Sequence, residues 1–562
     1  MSDWVQVYDP MGSPFWSTLT AALPVFTLLG LMGFSVSAPK SAFAGLFVAL
    51  ASAILGSGMP ATAAFAAAGY GACFGLLPIG WIVVAAVFLF QLTVRSGHFE
   101  TVKRSVAALS PDRRIQALLI AFCFGTFVEG AAGFGTPVAI CAALLIGLGF
   151  SPIYAAGLSL IANTSPVAFG ALGTPIITLA AVSGLDEMSL SQMAGRQLPF
   201  FSLLIPAWLV AVMSGWRGVV GCWPAIAVSG GVFATLQFLT ANFHGPTLVD
   251  VVGGLGALIS LAVMLRFWQP REVWRFPGET VPDETSDEPP LKAREVINAW
   301  MPWVFLSVLV FVWGWPPIKA SFNGGSKDAP NFLAGYTRLA FPVPALDQRV
   351  YRTAPVAPVV EGTDRAEQPE KAVMEIPWLS TTGTGIFIAA LMTALWLRIP
   401  AADFLQQFLE TLRDMRWALL TIALMLALAF TTKYSGADAT MGLAFTRTGW
   451  LYPFFAPMLG WLGVALTGSD TSSNALFGSL QRITAEQLHL NPTLIVASNS
   501  TGGVMGKMID AQSIVVAAVA TGQRGGEGAI LRFVLLHSLV LAAMTGVLTL
   551  VQAYWLTGMI PG

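Results

Sequence analysis

Charged residues are scarce in this sequence, and neither sign of charge is in clear excess. Asp, Glu, Lys and Arg make up 10% of the 562 residues, against roughly 25% in soluble domains. A water-soluble protein of this length needs more charge to cover its surface, so the composition argues against a soluble multidomain enzyme. The 29 basic and 30 acidic side chains nearly cancel, which argues against a nucleic-acid partner.

Cysteine is also rare, and the cysteines present have neither CxxC nor Cys/His spacing. Because they lie in apolar runs, we expect small buried hydrophobic side chains rather than metal ligands or disulfides. No cofactor is predicted. The N-terminal residues lack a basic stretch and a small-residue cleavage site, so no cleavable signal peptide is expected. The four cysteines are Cys73, Cys123, Cys141 and Cys222.

Long apolar runs are abundant. Hydrophobic residues make up 55% of the chain, and runs that approach the length of a membrane-spanning helix, about 20 residues, recur along it. We predict an all-α polytopic membrane protein with roughly 12–14 transmembrane helices. The lipid bilayer is then its first partner, and the sequence leaves a homo-oligomer open.

Short basic segments predict the orientation of the helices. Lys and Arg mark cytoplasmic loops, and the long polar segment 317–378 must then face the opposite side. That segment is rich in Pro and charge, so we expect a flexible decoration that divides the chain into an N-terminal half, 1–316, and a C-terminal half, 379–562. The three basic segments are 95–114, 266–296 and 398–416.

Residues 401–417 form an amphipathic pattern. Phe404, Leu405 and Phe408 fall on one helical face, with Gln407 and Glu410 opposite. We predict a helix that lies on the cytoplasmic surface without spanning the membrane. It is either an ordinary connecting helix or an arm that supports a moving domain.

One acid stands alone in the first half. Between residues 115 and 185, Glu129 is the only Asp, Glu, Lys, Arg or His. An intramembrane carboxylate costs several kcal/mol unless it is protonated, paired or facing water. Gly and Pro residues around it loosen the helix, and unwound backbone at membrane depth is tolerated only inside protein or beside a cavity. We therefore predict a polar site between broken helices, within a hairpin motif at about 115–182.

The second half repeats this arrangement in a motif at about 449–520. Asp470 again lies among small residues, and 22 residues separate it from Pro492, against 23 from Glu129 to Pro152. The interval from Asn163 to Gly170 is 7 residues, and the interval from Asn499 to Gly506 is the same. This indicates a diverged internal duplication, and paired interrupted segments are the best sequence pointer to a transporter's binding site.

Such a site suits a small anion. Helix N-termini at a break offer N–H groups and partial positive charge, hydroxyl groups add donors, and glycines permit close approach. Lys507 supplies a full positive charge, and protonation of Glu129 and Asp470 would couple the anion to protons. The predicted substrate-binding residues are Gly130, Gly133, Gly135, Asn163, Thr164, Ser165, Thr471, Ser472, Ser473, Asn474, Asn499, Thr501 and Lys507.

Several alternatives remain open at this stage. The acids could be structural hydrogen-bond acceptors at the hairpin tips, and Lys507 could pair with Asp510. A sodium-coupled carboxylate symporter and a passive channel fit the same features. An intramembrane hydrolase would use Ser500 or Ser513 with Lys507, although no GxSxG elbow is present.

The run from Phe124 to Ile140 resembles the leading signature of the bacterial lactate permease family. Residues 466–480 and 498–507 resemble the C-terminal signatures of that family, and the similarity extends over nearly the whole chain except 317–378. The resemblance implies a multi-pass protein of the bacterial inner membrane, not an enzyme, that takes up L-lactate with protons, and often D-lactate and glycolate. It also implies two inverted repeats with broken-helix hairpins. Asp510-Ala511 departs from the Ser-Pro expected for the family.

Overall fold

The computed structural model describes residues 3–34, 36–107, 109–133, 136–276, 292–325, 331–333, 335–357, 368–523 and 526–561. Helices dominate it. Many begin at a proline, as at Pro14, Pro152 and Pro492, because the first helical position needs no N–H donor. Others end at a glycine in the left-handed conformation, as at Gly184 and Gly468.

The helices of the N-terminal half follow one another with short connections. They are α1 (Pro14–Gly33), α2 (Ala38–Ala51), α3 (Ala61–Phe74), α4 (Gly80–Arg95), α5 (His98–Ala107), α6 (Arg113–Ala117), α7 (Gly125–Ala131), α8 (Thr136–Gly147), α9 (Pro152–Ala162), α10 (Gly170–Ser183), α11 (Glu187–Gly221), α12 (Trp223–Phe243), α13 (Val249–Met264) and α14 (Ala293–Gly314). Short π-helical turns extend or join some of them at Ser52–Gly56, Gly75–Ile79 and Leu118–Phe124.

The remaining elements of the described residues include nine α-helices and five strands. The helices are α15 (Pro316–Phe322), α16 (Thr382–Leu397), α17 (Ala401–Ser435), α18 (Ala437–Phe445), α19 (Tyr452–Thr467), α20 (Asp470–Gln487), α21 (Pro492–Gly506), α22 (Ala511–Ala520) and α23 (Glu527–Tyr554). The strands are β1 (Trp4–Val5), β2 (Leu339–Pro342), β3 (Val350–Arg352), β4 (Gln368–Pro369) and β5 (Val373–Ile376).

Among the described residues, 11 helices are long and apolar enough to cross a membrane. A twelfth span is counted if the pair Pro152–Ala162 and Val167–Ser183, bent by 61°, is one broken crossing. Two of the apolar runs form shorter helices, α8 and α16. The all-α polytopic architecture is therefore as predicted, and the 11 or 12 spans of the described residues lie at or just below the lower limit of the 12–14 expected.

The first basic segment contacts the other two. Arg95 forms an ion pair with Glu410 at 3.0 Å, and Arg114 donates a hydrogen bond of 3.0 Å to the carbonyl of Glu272. These contacts place 95–114, 398–416 and the described part of 266–296 on one face of the molecule, which we call the basic face. Residues 277–291 lie outside the described residues.

The amphipathic helix differs from the prediction. It does not end near residue 417 but continues as α17 from Ala401 to Ser435. No Gly or Pro interrupts this stretch, so nothing in the chain stops the helix where its pattern turns apolar. Phe404 and Phe408 pack edge-on against Phe88, with ring centroids 4.9 and 5.2 Å apart. Gln407, predicted on the polar face, is buried.

The segment 317–378, called the cap from here on, is also more ordered than its composition predicts. β2 pairs antiparallel with β5, while β3 lies parallel to β1 of the N-terminal segment. Leu346, Val350 and Ala372 are fully buried. The expectation of a flexible decoration is thus wrong for the described part of the cap, because its sparse apolar residues gather into a small core against the N-terminus. Residues 326–330, 334 and 358–367 lie outside the described residues.

The cysteine prediction holds for three of the four side chains. Cys123, Cys141 and Cys222 are buried, whereas Cys73 is exposed on the surface of α3. Its neighbours in sequence are apolar, so this exposure fits a helix face turned toward lipid.

Glycines allow the closest helix contact in the second half. α19 and α21 pack so tightly that a Cβ on Gly502 would overlap the backbone carbonyl of Pro457, and one on Gly460 would overlap that of Asn499. Small residues at such crossings are the usual means of close packing between membrane helices. This contact holds α21, and the polar residues it carries, in a fixed position.

Gly502→Ala is expected to lower the thermal unfolding temperature, because the added methyl group meets a backbone carbonyl that cannot move aside. The loss should be about 1–3 kcal/mol, typical of overpacking. Gly69→Ala is the matched control, since nothing lies within 4 Å of its Cβ position, and alanine there should be neutral or stabilising by up to about 1 kcal/mol. Unfolding of both variants in detergent measures the difference, and equal unfolding temperatures would contradict the packing argument.

Candidate functional site

Two broken helix pairs lie in the first half. α7 ends just beyond Glu129, and Gly133 has φ +59° before α8 begins. α9 ends at Ala162 with Asn163 as its cap, and the chain resumes as α10, whose first turn is distorted, with φ of 44° at Ala171 and 56° at Leu172. Left-handed backbone at non-glycine residues is costly and persists only where surrounding packing enforces it, often at functional sites.

The second half has the same organisation. α19 ends at Gly468 with φ +71°, and α20 starts under the cap of Ser469, whose Oγ accepts from the N–H of Ser472 at 3.2 Å. α21 ends at Gly506 with Lys507 as its C-cap, and α22 starts after the N-cap Asp510, whose Oδ1 accepts from the N–H of Ser513 at 2.7 Å. The broken-helix pairs predicted for each half are therefore present.

The predicted correspondence between Asn163 in the first half and Asn499 in the second half is wrong. Asn163 lies at the end of α9, whereas Asn499 lies in the middle of α21. Lys507 occupies the helix end that matches Asn163. The equal Asn-to-Gly intervals mislead because they count residues and do not locate the helix ends, which are shifted by two helical turns.

A cavity of about 600 Å³ joins the two halves. Glu129 from the first half and Asp470 and Lys507 from the second all contribute to its wall. Its volume lies within the range typical of small-molecule sites. Other lining residues include Gly170, Thr174, Gly468, Ser469, Thr471, Ser472 and Gln512.

The cavity is nearer to the basic face than to the cap. On α17 its lining residues are Trp417, Ala418, Thr421 and Ile422, which directly follow the basic, amphipathic turns. The other end of α17 meets the N-terminal segment, where Gln6 donates to the carbonyl of Lys433 at 3.1 Å.

Lys507 is paired and also borders the cavity. Its Nζ donates to the carbonyl oxygen of Gly468 at 2.6 Å and lies 3.3 Å from Oδ2 of Asp510. The side chain is only 5% exposed. Within the described part of the chain only the contact with Gly468 is a hydrogen bond, and Nζ carries three N–H donors, so donors remain for the cavity.

The hydrolase alternative finds no support in these contacts. Ser500 donates its hydroxyl to Oδ2 of Asp470 at 2.5 Å, and Lys507 is engaged elsewhere. Among the described residues, neither Ser500 nor Ser513 forms a hydrogen bond with Lys507, so the nucleophile–base contact of such an enzyme is not made.

The two acids each present one unsatisfied oxygen. Oδ2 of Asp470 accepts from Ser500 and, at 3.2 Å, from Asn474, but Oδ1 has no partner among the described residues. Oε2 of Glu129 also has no partner among the described residues. Oε1 of Glu129 packs against Gly170, so closely that a Cβ added to that glycine would be 2.5 Å from it. A buried polar atom without a partner is costly, so both acids favour a proton, a water molecule or a ligand at these positions.

Several predicted binding residues form hydrogen bonds between helices and do not line the cavity. Asn499 donates to Asn474 at 2.9 Å, Thr501 donates to Gln197 of α11 at 2.7 Å, and Ser473 donates to the carbonyl of Gly460 at 3.1 Å. Thr471 and Ser472 line the cavity. The candidates that do not line its described part are Gly130, Gly133, Asn163, Thr164, Ser165, Ser473, Asn474, Asn499 and Thr501, and Gly135 lies outside the described residues.

Asp250 is a buried acid that the sequence analysis missed. Asp250, near the start of α13, is 1% exposed. It is the only Asp, Glu, Lys or Arg between Arg217 and Arg266. The isolation that identified Glu129 would have identified Asp250 as well.

Comparisons with known proteins agree on one family. A family model described as L-lactate permease matches residues 17–556. The chain is 45% identical to the L-lactate permease of Escherichia coli K12 and 46% identical to its glycolate permease GlcA, in each case over 100% of both chains. It is 43% identical to the L-lactate permease of Bacillus subtilis, over 99% of this chain and 100% of that one.

Two solved membrane transporters are distantly similar. The YdaH transporter of Alcanivorax borkumensis is 15% identical, with a TM-score of 0.44 over 87% of this chain and 88% of that one. MtrF of Neisseria gonorrhoeae is 13% identical, with a TM-score of 0.44 over 86% and 83%.

Proposed function

The chain belongs to the L-lactate permease family, and we propose that it carries L-lactate, D-lactate and glycolate into the cell together with protons. It is a multi-pass protein of the bacterial inner membrane, and the family is one of permeases. The observation that carries the proposal is the shared cavity, where a lysine and two acids from broken helices of both halves meet. The names of relatives 43–46% identical to this chain support the substrate class.

Lys507 and the start of α20 form the anion end of the proposed site. The available N–H of Lys507 and the partial positive charge of the helix N-terminus both favour a carboxylate. Thr471 and Ser472 bring hydroxyl groups to the same wall, where they can hydrogen-bond the 2-hydroxyl group of lactate or glycolate. The remaining predicted residues hold these groups in place.

Glu129 and Asp470 are the proposed proton carriers. Moving one anion into a negative interior costs about 2.3 kcal/mol per 100 mV. A proton that travels with the anion cancels this cost and adds the pH gradient as a driving force. The unsatisfied oxygen of each acid is the position at which a proton would bind.

The two halves are proposed to contribute one repeat each. The hairpin motif at 115–182 belongs to the half 1–316, and the motif at 449–520 belongs to the half 379–562, with the cap between them. Hydrogen bonds across the boundary, such as that from Asn474 to the carbonyl of Pro175 at 3.1 Å, would then be among those remade when one repeat moves against the other.

Proteoliposomes containing the purified protein are expected to accumulate labelled L-lactate when the outside is acidified. With one proton per lactate, accumulation should be about tenfold for each unit of pH gradient, and an uncoupler should abolish it. Excess glycolate should compete, whereas succinate should not. Accumulation that follows a sodium gradient and ignores pH would replace the proposal with a sodium-coupled symporter, and gradient-independent equilibration would indicate a channel.

A further inference from the structure

Asp250 is buried without a visible partner. It is the second residue of α13 and 1% exposed, and neither carboxylate oxygen has a hydrogen-bond partner among the described residues. An ionised carboxylate in such a position is very unfavourable, so the group must be neutralised by a proton or a cation. Within the described residues, no group of three or more acidic, His or Cys side chains could hold a metal ion.

The structure packs Asp250 against the helix that carries Glu129. A Cβ on Gly130, the residue after Glu129, would be 2.7 Å from Cβ of Asp250 and 2.8 Å from the backbone nitrogen of Val251. α7 and α13 therefore touch at the level of the two acids. Glu129 lies within electrostatic range of Asp250, and Lys507 and Asp510 of the second half lie within the same range of Glu129.

Asn163 provides an independent indication. Its side chain lies close enough to Glu129 to interact with the carboxyl group. It is 3% exposed, yet neither its amide nitrogen nor its oxygen forms a hydrogen bond within the residues that the structure describes. Such an amide can donate to an ionised carboxylate or accept from a protonated one, which suits an acid that changes its protonation state.

We propose that Glu129 and Asp250 share one proton, so that Asp250 is an inner proton station and Glu129 connects it to the cavity. Two neighbouring carboxyl groups in a low-dielectric site cannot both be ionised. The pair holds one proton and one negative charge at rest, so that when one acid is protonated the other is a carboxylate. When an anion and a second proton enter the cavity, Glu129 takes that proton and the pair becomes neutral.

This inference rests on the proposed function only for its role in coupling. The shared proton itself is a property of the folded protein and can be measured without substrate. The two claims are therefore tested by separate readouts on the same variants.

Infrared difference spectroscopy of the protein in lipid tests the shared proton. A protonated carboxyl group absorbs at a different infrared frequency from a carboxylate, and the frequency of its band shifts in heavy water. We expect this band at neutral pH in the wild type, its loss in Asp250→Asn, and its displacement in Glu129→Gln, which keeps Asp250 but removes its proton partner. Asp186→Asn is the control, because Asp186 is an exposed helix cap that asparagine can replace. A band unchanged in either test variant would overturn the proposal.

Transport by the same variants tests the coupling role. Asp250→Asn should lose accumulation driven by the pH gradient, about tenfold per pH unit in the wild type, while exchange of labelled for unlabelled lactate continues. Full accumulation by Asp250→Asn would overturn its role as a proton station. If the wild type shows the band but carries no lactate in either assay, the shared proton stands and the proposed function fails.

Discussion

Glu129→Gln is expected to abolish accumulation of L-lactate against a pH gradient and to leave exchange of lactate across the membrane. Glutamine matches the shape of the side chain but cannot carry a proton. The wild type should concentrate lactate about tenfold per pH unit, and the variant should only equilibrate it. Accumulation and exchange, measured side by side in proteoliposomes, separate lost coupling from lost substrate binding.

Glu295→Gln is the matched control for this substitution. Glu295 is exposed in the first turn of α14 and accepts a hydrogen bond of 3.2 Å from the N–H of Lys292, which glutamine can also accept. It should accumulate lactate as the wild type does. Undiminished accumulation by Glu129→Gln would remove Glu129 from the coupling mechanism, and loss of exchange as well would assign it to substrate binding.

Lys507→Ala is expected to raise the half-saturating lactate concentration by at least about thirtyfold, because removing the cation from a buried charge pair with the substrate costs about 2–5 kcal/mol. The same change leaves Asp510 buried without its ion-pair partner, which should destabilise the fold by about 3–5 kcal/mol. Initial uptake rates across a range of lactate concentrations measure the first effect, and thermal unfolding in detergent measures the second.

A double variant separates these two roles of Lys507. In Lys507→Ala with Asp510→Ser, the unpaired charge is gone, and serine can still cap α22 by accepting from Ser513. We expect stability to recover but transport to stay impaired. Recovery of transport in the double variant would show that Lys507 serves only to neutralise Asp510. Lys507→Arg retains the charge, so it should lose less affinity than Lys507→Ala.

A substitution of Asp470 would be a less direct test of proton coupling than a substitution of Glu129. One of its oxygens accepts hydrogen bonds from both Ser500 and Asn474, so a substitution there also disturbs the start of α20. Glu129 has no comparable set of donors among the described residues. This difference favours Glu129 as the first acid to test for coupling.

The sequence by itself determined the class of protein and its two principal acids. Scarcity of charge and long apolar runs are local properties, and a lone carboxylate in an apolar stretch is costly wherever that stretch folds. Glu129 and Asp470 could therefore be singled out without knowledge of their surroundings. The same argument, applied to α13, would have found Asp250, which the structure identifies by its two unpartnered oxygens.

The tertiary structure alone decided which polar groups face the cavity. Thr471 and Ser472 line it, while the adjacent Ser473 and Asn474 bond to neighbouring helices, because successive residues of a helix point in different directions around its axis. It also decided that α17 is one continuous helix and that the cap has a core. Burial and pairing of these groups depend on segments far away in the chain, such as α2, α3 and α4 for α17 and the N-terminus for the cap. No local pattern encodes which distant segment will pack there.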